Sequence, residues 1–189
     1  MNAPHDDWVA FYMGVGYDGS GRHPTHYYMA SRTAWGRNHD MIQWAFPLNV
    51  PSQFNPNAPL LDLEQLKQDP FLKELKLTQL CMLYFYLGSV GIGIHRTLDT
   101  ALGDLVETDG VIYTFFPFAL DNGMSYQTFT EENHQHLRMT RVLTSLRLFG
   151  HNYIALQLGE FLLQLAEENP QMINNTTREF WLKAMRGPL

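Results

Sequence analysis

The sequence predicts a mainly α protein, a compact multi-helix single domain over residues 1–189 with one small β-hairpin near residues 105–116. Three observations predict it. Apolar residues recur at helical spacing in several separate segments. Capping and stopping residues flank those segments, and only one short stretch favours strands. With 45% of its residues hydrophobic and 17% charged, the chain fills one core well and two poorly, and it is too apolar for disorder.

The elements follow in order. Trp8 to Tyr12 is a short aromatic segment, and Gly14, Gly16, Gly19 and Gly21 make the next stretch a loop with turns. These glycines lack phosphate-loop spacing, and no Gly-Lys-Ser/Thr follows them. Residues 37–46 read as a short helix, because Trp35, His39, Ile42 and Phe46 recur at helical spacing and Pro47 supplies a stop. His39 and Gln43 then stand one turn apart, as do Asp40 and Trp44. The stretch from Asn49 to Pro59 is an extended connector, since its three prolines forbid helix. Asp62 with Gln65 resembles a capping box that opens a short helix ending near Gln68. Asp69-Pro70 is an N-cap and first-turn pair for a long helix to about Leu87, ended by Gly88. That helix is apolar nearly all round from Leu77 onward, as a central helix would be.

Asp109-Gly110 between the β-favouring runs Leu105 to Glu107 and Val111 to Phe116 predicts the hairpin. Thr130 caps a helix reaching Phe149, with Met139, Val142, Leu143, Leu146 and Phe149 as its buried stripe and Gly150 as its stop. Asn152 caps the next helix, buried through Ile154, Leu158, Phe161, Leu162 and Leu165. Thr176 and Glu179 form a capping box for a terminal helix with Phe180, Trp181, Ala184 and Met185 inward. No internal repeat interrupts this series.

Several functions are excluded by composition. No apolar run reaches the roughly 18 residues a membrane span needs, and the first residues lack the basic and apolar parts of a signal peptide, so a cytoplasmic location without membrane association is expected. Cys81 is the single cysteine, which rules out an internal disulfide and a cysteine-based zinc site and reads as a buried thiol. A net charge of −6 argues against nonspecific binding to nucleic acid.

The charge is unevenly placed. No acid lies between Asp18 and Asp40, a segment holding Arg22, His23, His26, Arg32, Arg37 and His39. None lies between Glu132 and Glu160, where His134, His136, Arg138, Arg141, Arg147 and His151 fall. Six of nine arginines and six of eight histidines are here, and none of the four lysines. Guanidinium groups grip phosphate or carboxylate through forked donors, so the two segments read as halves of one anion site. The alternative is that these arginines pair with acids elsewhere or line solvated helix faces.

The candidate ligand-binding residues are Arg37, His39, Gln43, Trp44, Asn133, His134, His136, Arg138 and Arg141. His134, Arg138 and Arg141 stand at i, i+4 and i+7, one stripe roughly opposite part of the buried face, while His136, Thr140 and Thr144 form a second polar stripe. Asn133 and His134 lie in the first turn, near the positive end of the helix dipole. Trp35, Trp44, Tyr27 and Tyr28 could stack on a planar ligand, or could be core. His134 and His136 diverge by about 200 degrees on a helix and cannot share an ion, so no metal site is expected. No nucleophile stands in a convincing context and no carboxylate pair is clustered, so no catalytic residue is assigned.

The expected function is therefore non-enzymatic binding of a small anionic ligand, a nucleotide or phosphorylated signal, in a sensor or sequestering role and without a cofactor. A peptide-binding or protein-interaction module, in which Gln43 and Asn133 satisfy buried backbone groups, is a second reading, and an enzyme using His39, His134 or His136 as acid or base is a third. A homo-oligomer is compatible with all three.

Two stretches carry a family resemblance. His39-Asp40-Met41-Ile42-Gln43-Trp44-Ala45-Phe46-Pro47-Leu48, with Pro51 to Leu60 after it, resembles the opening motif of the opioid growth factor receptor conserved domain. Asn133-His134-Gln135-His136-Leu137-Arg138-Met139-Thr140-Arg141-Val142-Leu143, continuing to Leu148-Phe149-Gly150, is similar to its second motif. With Phe11-Tyr12 and the glycine loop, the resemblance spans about residues 8–165. It implies a mostly helical domain, here a bacterial-type member, and the vertebrate receptors of the family are associated with enkephalin peptide binding and growth control.

Overall fold

The alternation of capped apolar segments with glycine and proline breaks decides the architecture. A computed structural model of the chain describes residues 5–53, 55–98, 111–117 and 133–188. Among these lie nine helices and one two-stranded antiparallel sheet, a mainly α fold as the periodicity predicts. The chain divides into two compact units, Met1–Ser89 and Val90–Leu189.

In the first unit, α1 (His5–Tyr12), α2 (Pro24–Tyr28), α3 (Arg32–Arg37), α4 (His39–Ala45) and α5 (Leu63–Gln68) each pack on the long α6 (Leu72–Ser89). The central place of α6 matches its apolar composition, but that composition hides which face is inward. Leu75, Gln79, Met82, Leu83, Tyr86 and Leu87 are buried, while Leu77, Tyr84 and Phe85 are exposed. Cys81 is only half-buried. The helix runs through Gly88 to Ser89, and the left-handed residue beyond it is Gly91, at φ +80°.

The helix expected over residues 37–46 is two helices broken at Asn38 (φ −93°, ψ 85°). Asn38 closes α3 with its N–H on the Ala34 carbonyl and also precedes α4. Periodicity continues across such a break because one non-helical residue barely disturbs the spacing. Asp62 caps α5 as expected, its Oδ1 accepting from the N–H groups of Glu64 (2.9 Å) and Gln65 (3.0 Å). Asp69 Oδ1 accepts from Phe71 N–H at 2.8 Å, one residue ahead of α6. The connector between α4 and α5 forms one parallel bridge, Leu48 to Leu60.

Aromatic rings fill this unit. Phe11 meets Tyr27 and Trp44 edge-on at 5.1 and 5.3 Å, and Trp35 meets Tyr27 and Tyr86 at 5.5 and 5.2 Å. Trp35, Trp44 and Tyr27 are all buried, so three of the four rings proposed to stack on a ligand are core residues, and only Tyr28 is half-buried. Such edge-to-face pairs contribute about 0.5–1.5 kcal/mol each beyond their burial.

In the second unit, β1 (Ile92–Leu98) pairs with β2 (Val111–Pro117) in a register running from Ile92–Pro117 to Leu98–Val111. The second run of the expected hairpin is therefore a strand, but it pairs with residues 92–98. The Leu105 to Glu107 run and Asp109-Gly110 lie outside the described residues. Gly93 weakens the strand signal of β1, and its use is cross-strand: a Cβ there would stand 2.4 Å from the Phe116 ring that occupies the space.

Three helices complete the unit, α7 (Asn133–Leu148), α8 (Asn152–Glu168) and α9 (Asn175–Arg186), each packed on the other two. Thr130, the expected cap of α7, lies outside the described residues. The helix ends as predicted at Gly150, where His151 N–H donates to the Leu146 carbonyl (2.8 Å) and Gly150 N–H to that of Arg147 (2.9 Å). This pair of bonds needs a left-handed residue between them, and Gly150 has φ +81°. Gly150→Ala is expected to cost about 1–2 kcal/mol, read as a lower urea midpoint at unchanged slope.

The caps of the last two helices differ from expectation. His151 precedes α8, and Asn152 is its first helical residue. Asn174 caps α9, its Oδ1 accepting from Thr177 N–H at 2.9 Å, in place of the Thr176/Glu179 box. Trp181, Ala184 and Met185 face inward as predicted, but Phe180 is 48% exposed. Gly159 brings α8 close to α9, because a Cβ there would lie 2.1 Å from Met185 Sδ. Among the described residues no helix is long and apolar enough to cross a membrane.

Candidate functional site

The two basic segments fall in different units, and each is built by its own contacts. In the first unit the acids bounding the segment decide its chemistry. Asp18, whose side chain is fully buried, accepts from Ser20 N–H (2.8 Å), Arg22 N–H (2.9 Å), Arg22 Nε (2.7 Å) and Tyr27 Oη (2.6 Å). Arg22 Nη2 donates to Asp40 Oδ2, which also accepts from Ser20 Oγ at 2.7 Å. One guanidinium thus lies between two carboxylates and ties the glycine loop to α4.

The titration shifts follow from this geometry. Burial works against the charge on Arg22, but the hydrogen bonds to Asp40 and Asp18 outweigh it and raise its pKa. Burial likewise opposes the Asp40 charge, yet donation from Ser20 and Arg22 leaves its pKa below the ordinary carboxylate value. Burial, then the neighbouring Asp18 charge, pushes the Tyr27 phenol far up.

The histidines of this segment also serve local structure. His23 Nδ1 accepts from Thr25 N–H, His26 Nδ1 accepts from His23 N–H at 3.0 Å, and together they form a reciprocal cap on α2. The other His23 nitrogen, Nε2, lies 2.9 Å from the Gly14 carbonyl.

Of the predicted residues here, Gln43 and Trp44 are buried, whereas Arg37 and His39 are exposed where α3 meets α4. Gln43 Nε2 donates to Ser52 Oγ (3.0 Å), and its Oε1 accepts from Asn55 Nδ2 (2.7 Å). Both ends of its amide hold the connector. Trp44 packs against Phe11 and lies 3.6 Å from the space a Gly19 side chain would fill.

In the second unit, α7 is buried on most sides, because α8 and α9 both pack on it. Gln135, His136, Arg138, Met139, Val142, Leu143, Ser145 and Leu146 are all inside. The expected stripe opposite the buried face is thus not a solvent face. His134 is exposed and Arg138 is 6% exposed. Desolvation pushes the Arg141 guanidinium down to about 10. Arg138 and Arg141 are also engaged in contacts of the fold. Asn133 begins the helix.

His136 is held by α9. Its ring meets that of Trp181 edge-on at 5.7 Å, and its carbonyl accepts from Trp181 Nε1 at 3.0 Å. Beside it, a cavity of about 280 Å³ lies between α7 and the start of α9, with Thr140, Asn174, Thr176 and Thr177 among its walls and the exposed Leu137 and Phe180 at its rim. Arg147 Nη1 donates to the Ala184 carbonyl at 3.0 Å, fastening α7 to α9.

Sequence reasoning missed Asp18, Ser52, Asn55 and Trp181. The signal for Asp18 was present, since it is one of the two acids that bound the first basic segment. Ser52 and Asn55 carry no pattern of their own, and Trp181 reads from sequence only as a core residue.

Comparison with known proteins finds no matching curated protein and no matching solved structure. The family model described as the opioid growth factor receptor (OGFr) conserved region matches residues 25–188. That stretch contains both motifs, residues 39–60 and 133–150, and most of the chain. The protein belongs to the opioid growth factor receptor conserved-region family.

Proposed function

We propose that the chain is a non-enzymatic binding protein for a small anionic ligand, a nucleotide or phosphorylated signal, held by Arg138 and Arg141. The observation that carries this reading is the desolvated pair of guanidiniums three residues apart on α7, a helix without a single acid. A cation drawn from water gains more from an anion than one on the surface does, because the local dielectric is lower. Each guanidinium presents donors in a planar fork suited to phosphate or carboxylate, and a side chain fixed by the fold loses little entropy on binding. Binding without turnover suits a sensor or a sequestering protein.

A thermal-shift screen against nucleotides, cyclic nucleotides, sugar phosphates and short peptides tests it, with Arg138→Ala and Arg141→Gln alongside. A ligand at about 100 times its dissociation constant adds roughly 2.7 kcal/mol, several degrees for a chain of this length. The expected result is a shift from a phosphorylated compound that both variants lose while keeping their helical circular dichroism. Turnover of the compound, or no shift from any of them, overturns the reading.

A second reading, a peptide-binding or protein-interaction module, is favoured by a different observation. Arg22, Gln43, Trp44 and Arg147 satisfy groups inside the fold. Under it peptides alone shift the transition, and Arg138→Ala mainly lowers the melting temperature.

A further inference from the structure

The terminal helix leaves one large ring unaccounted for. Phe180 borders the inward residues Trp181, Ala184 and Met185 of α9, yet it is 48% exposed. On α7, Leu137 is 63% exposed. Both side chains are walls of one cavity, that of about 280 Å³ between α7 and the start of α9.

The lining has the make-up of a ligand pocket, apolar surface with a few polar groups set into it. Among the described residues, no carboxylate, lysine or arginine lines it. His136, 2% exposed, is its most buried wall. The hydroxyls of Thr176 and Thr177 enter no hydrogen bond of the fold among the described residues, and a hydroxyl turns to donate or accept as a ligand requires. The walls are fixed beforehand. Trp181 Nε1 donates to the His136 carbonyl at 3.0 Å, and Asn174 holds the Thr177 N–H at 2.9 Å. A pocket ordered by its own fold loses little freedom on binding.

Size and position narrow the occupant. Pockets that enclose a whole drug-sized ligand start near about 300 Å³, so this one takes a single ring system and leaves the rest of its ligand outside. Long side chains on a helix lean toward its N-terminus and meet the residue one turn back. For Arg141 that residue is Leu137, at the rim of the cavity.

We propose that the cavity holds the uncharged base of a mononucleotide between Leu137 and Phe180, with the phosphate outside it on Arg141. This deepens the anion-binding reading and rests on it. Every base has a face that stacks on an aromatic ring, and the threonine hydroxyls meet ring nitrogens and ring carbonyls alike. A sugar phosphate satisfies the arginine but leaves the cavity unfilled.

Isothermal titration of the intact chain with the four 5′-ribonucleoside monophosphates and with ribose 5-phosphate tests it, in wild type, Phe180→Ala, Thr176→Trp and Arg141→Gln. Phe180 and Thr176 are exposed, so the first change removes a wall and the second fills the cavity without touching the core. At least one monophosphate is expected to bind about tenfold or more tighter than ribose 5-phosphate, a gain of about 1.4 kcal/mol. Both cavity variants should lose that gain and keep the affinity for ribose 5-phosphate, whereas Arg141→Gln should weaken every compound. Equal affinity of all monophosphates and ribose 5-phosphate overturns the base site and leaves the anion reading standing, as does a preference that survives both cavity variants. A preference lost in the cavity variants but untouched by Arg141→Gln supports the base site and overturns the placing of the phosphate on Arg141. No binding by any of the compounds overturns both.

Discussion

Replacing Trp181 with alanine is expected to lower stability by about 4 kcal/mol, near the middle of the range for deleting a buried large aromatic ring. Trp181 is fully buried, its indole N–H bonds the His136 carbonyl, and the His136 ring lies against it. Removing it leaves a void where α9 meets α7, two helices also joined by the Arg147 bond to the Ala184 carbonyl. Trp181→Phe keeps most of the volume and is expected to lose only about 1 kcal/mol for the hydrogen bond. Urea midpoints followed by circular dichroism separate the two. A Trp181→Ala loss under about 1 kcal/mol would show that α9 lies outside the cooperative core.

Arg22→Ala is expected to cost about 3 kcal/mol at neutral pH, the low end for breaking a buried ion pair, since Arg22 is partly exposed. The loss comes from leaving the buried Asp18 carboxylate without its counter-charge. Asp40 adds a pH signature. Its pKa is depressed in the folded state, so its contribution is present above the ordinary carboxylate range and is lost as pH falls through the folded value. The wild-type chain should therefore weaken on acidification, and Arg22→Ala should flatten that acid limb. An acid limb of equal steepness in wild type and variant, measured by chemical denaturation across the acid range, would remove Arg22 as its cause.

The longer helices were legible because their apolar periodicity is local, whereas α1, α2 and α3 are too short to show it and read as an aromatic segment and loop, and the caps of α8 and α9 were misplaced by one or two residues. Asp62 and Gly150 announce a cap and a stop whatever surrounds them. The β1 strand was not legible, since Gly93 breaks the run of strand formers and is explained only by the Phe116 ring across the ladder. The basic segments were visible in the charge string, but their meaning depends on burial. Arg22 looks like any arginine until Asp18 and Asp40 meet it, one four and one eighteen positions away. Arg138 lies on what the sequence marks as a polar stripe and is nonetheless inside, because α8 and α9 both pack on α7. Trp44 and Gln43 look equally suited to a ligand and to a core, and only their neighbours distinguish the two.

The left-handed turn at Gly150 has a kinetic consequence. It joins α7 to α8 through Phe149, Gly150 and His151 alone, so bringing these helices together closes a very small loop at little entropic cost. The bond from Tyr113 to Gln157 must instead close over 44 positions. The α7–α8 hairpin is therefore expected to form ahead of strand docking during folding. Substitutions along its packed face should slow folding, and substitutions in β2 should mainly hasten unfolding.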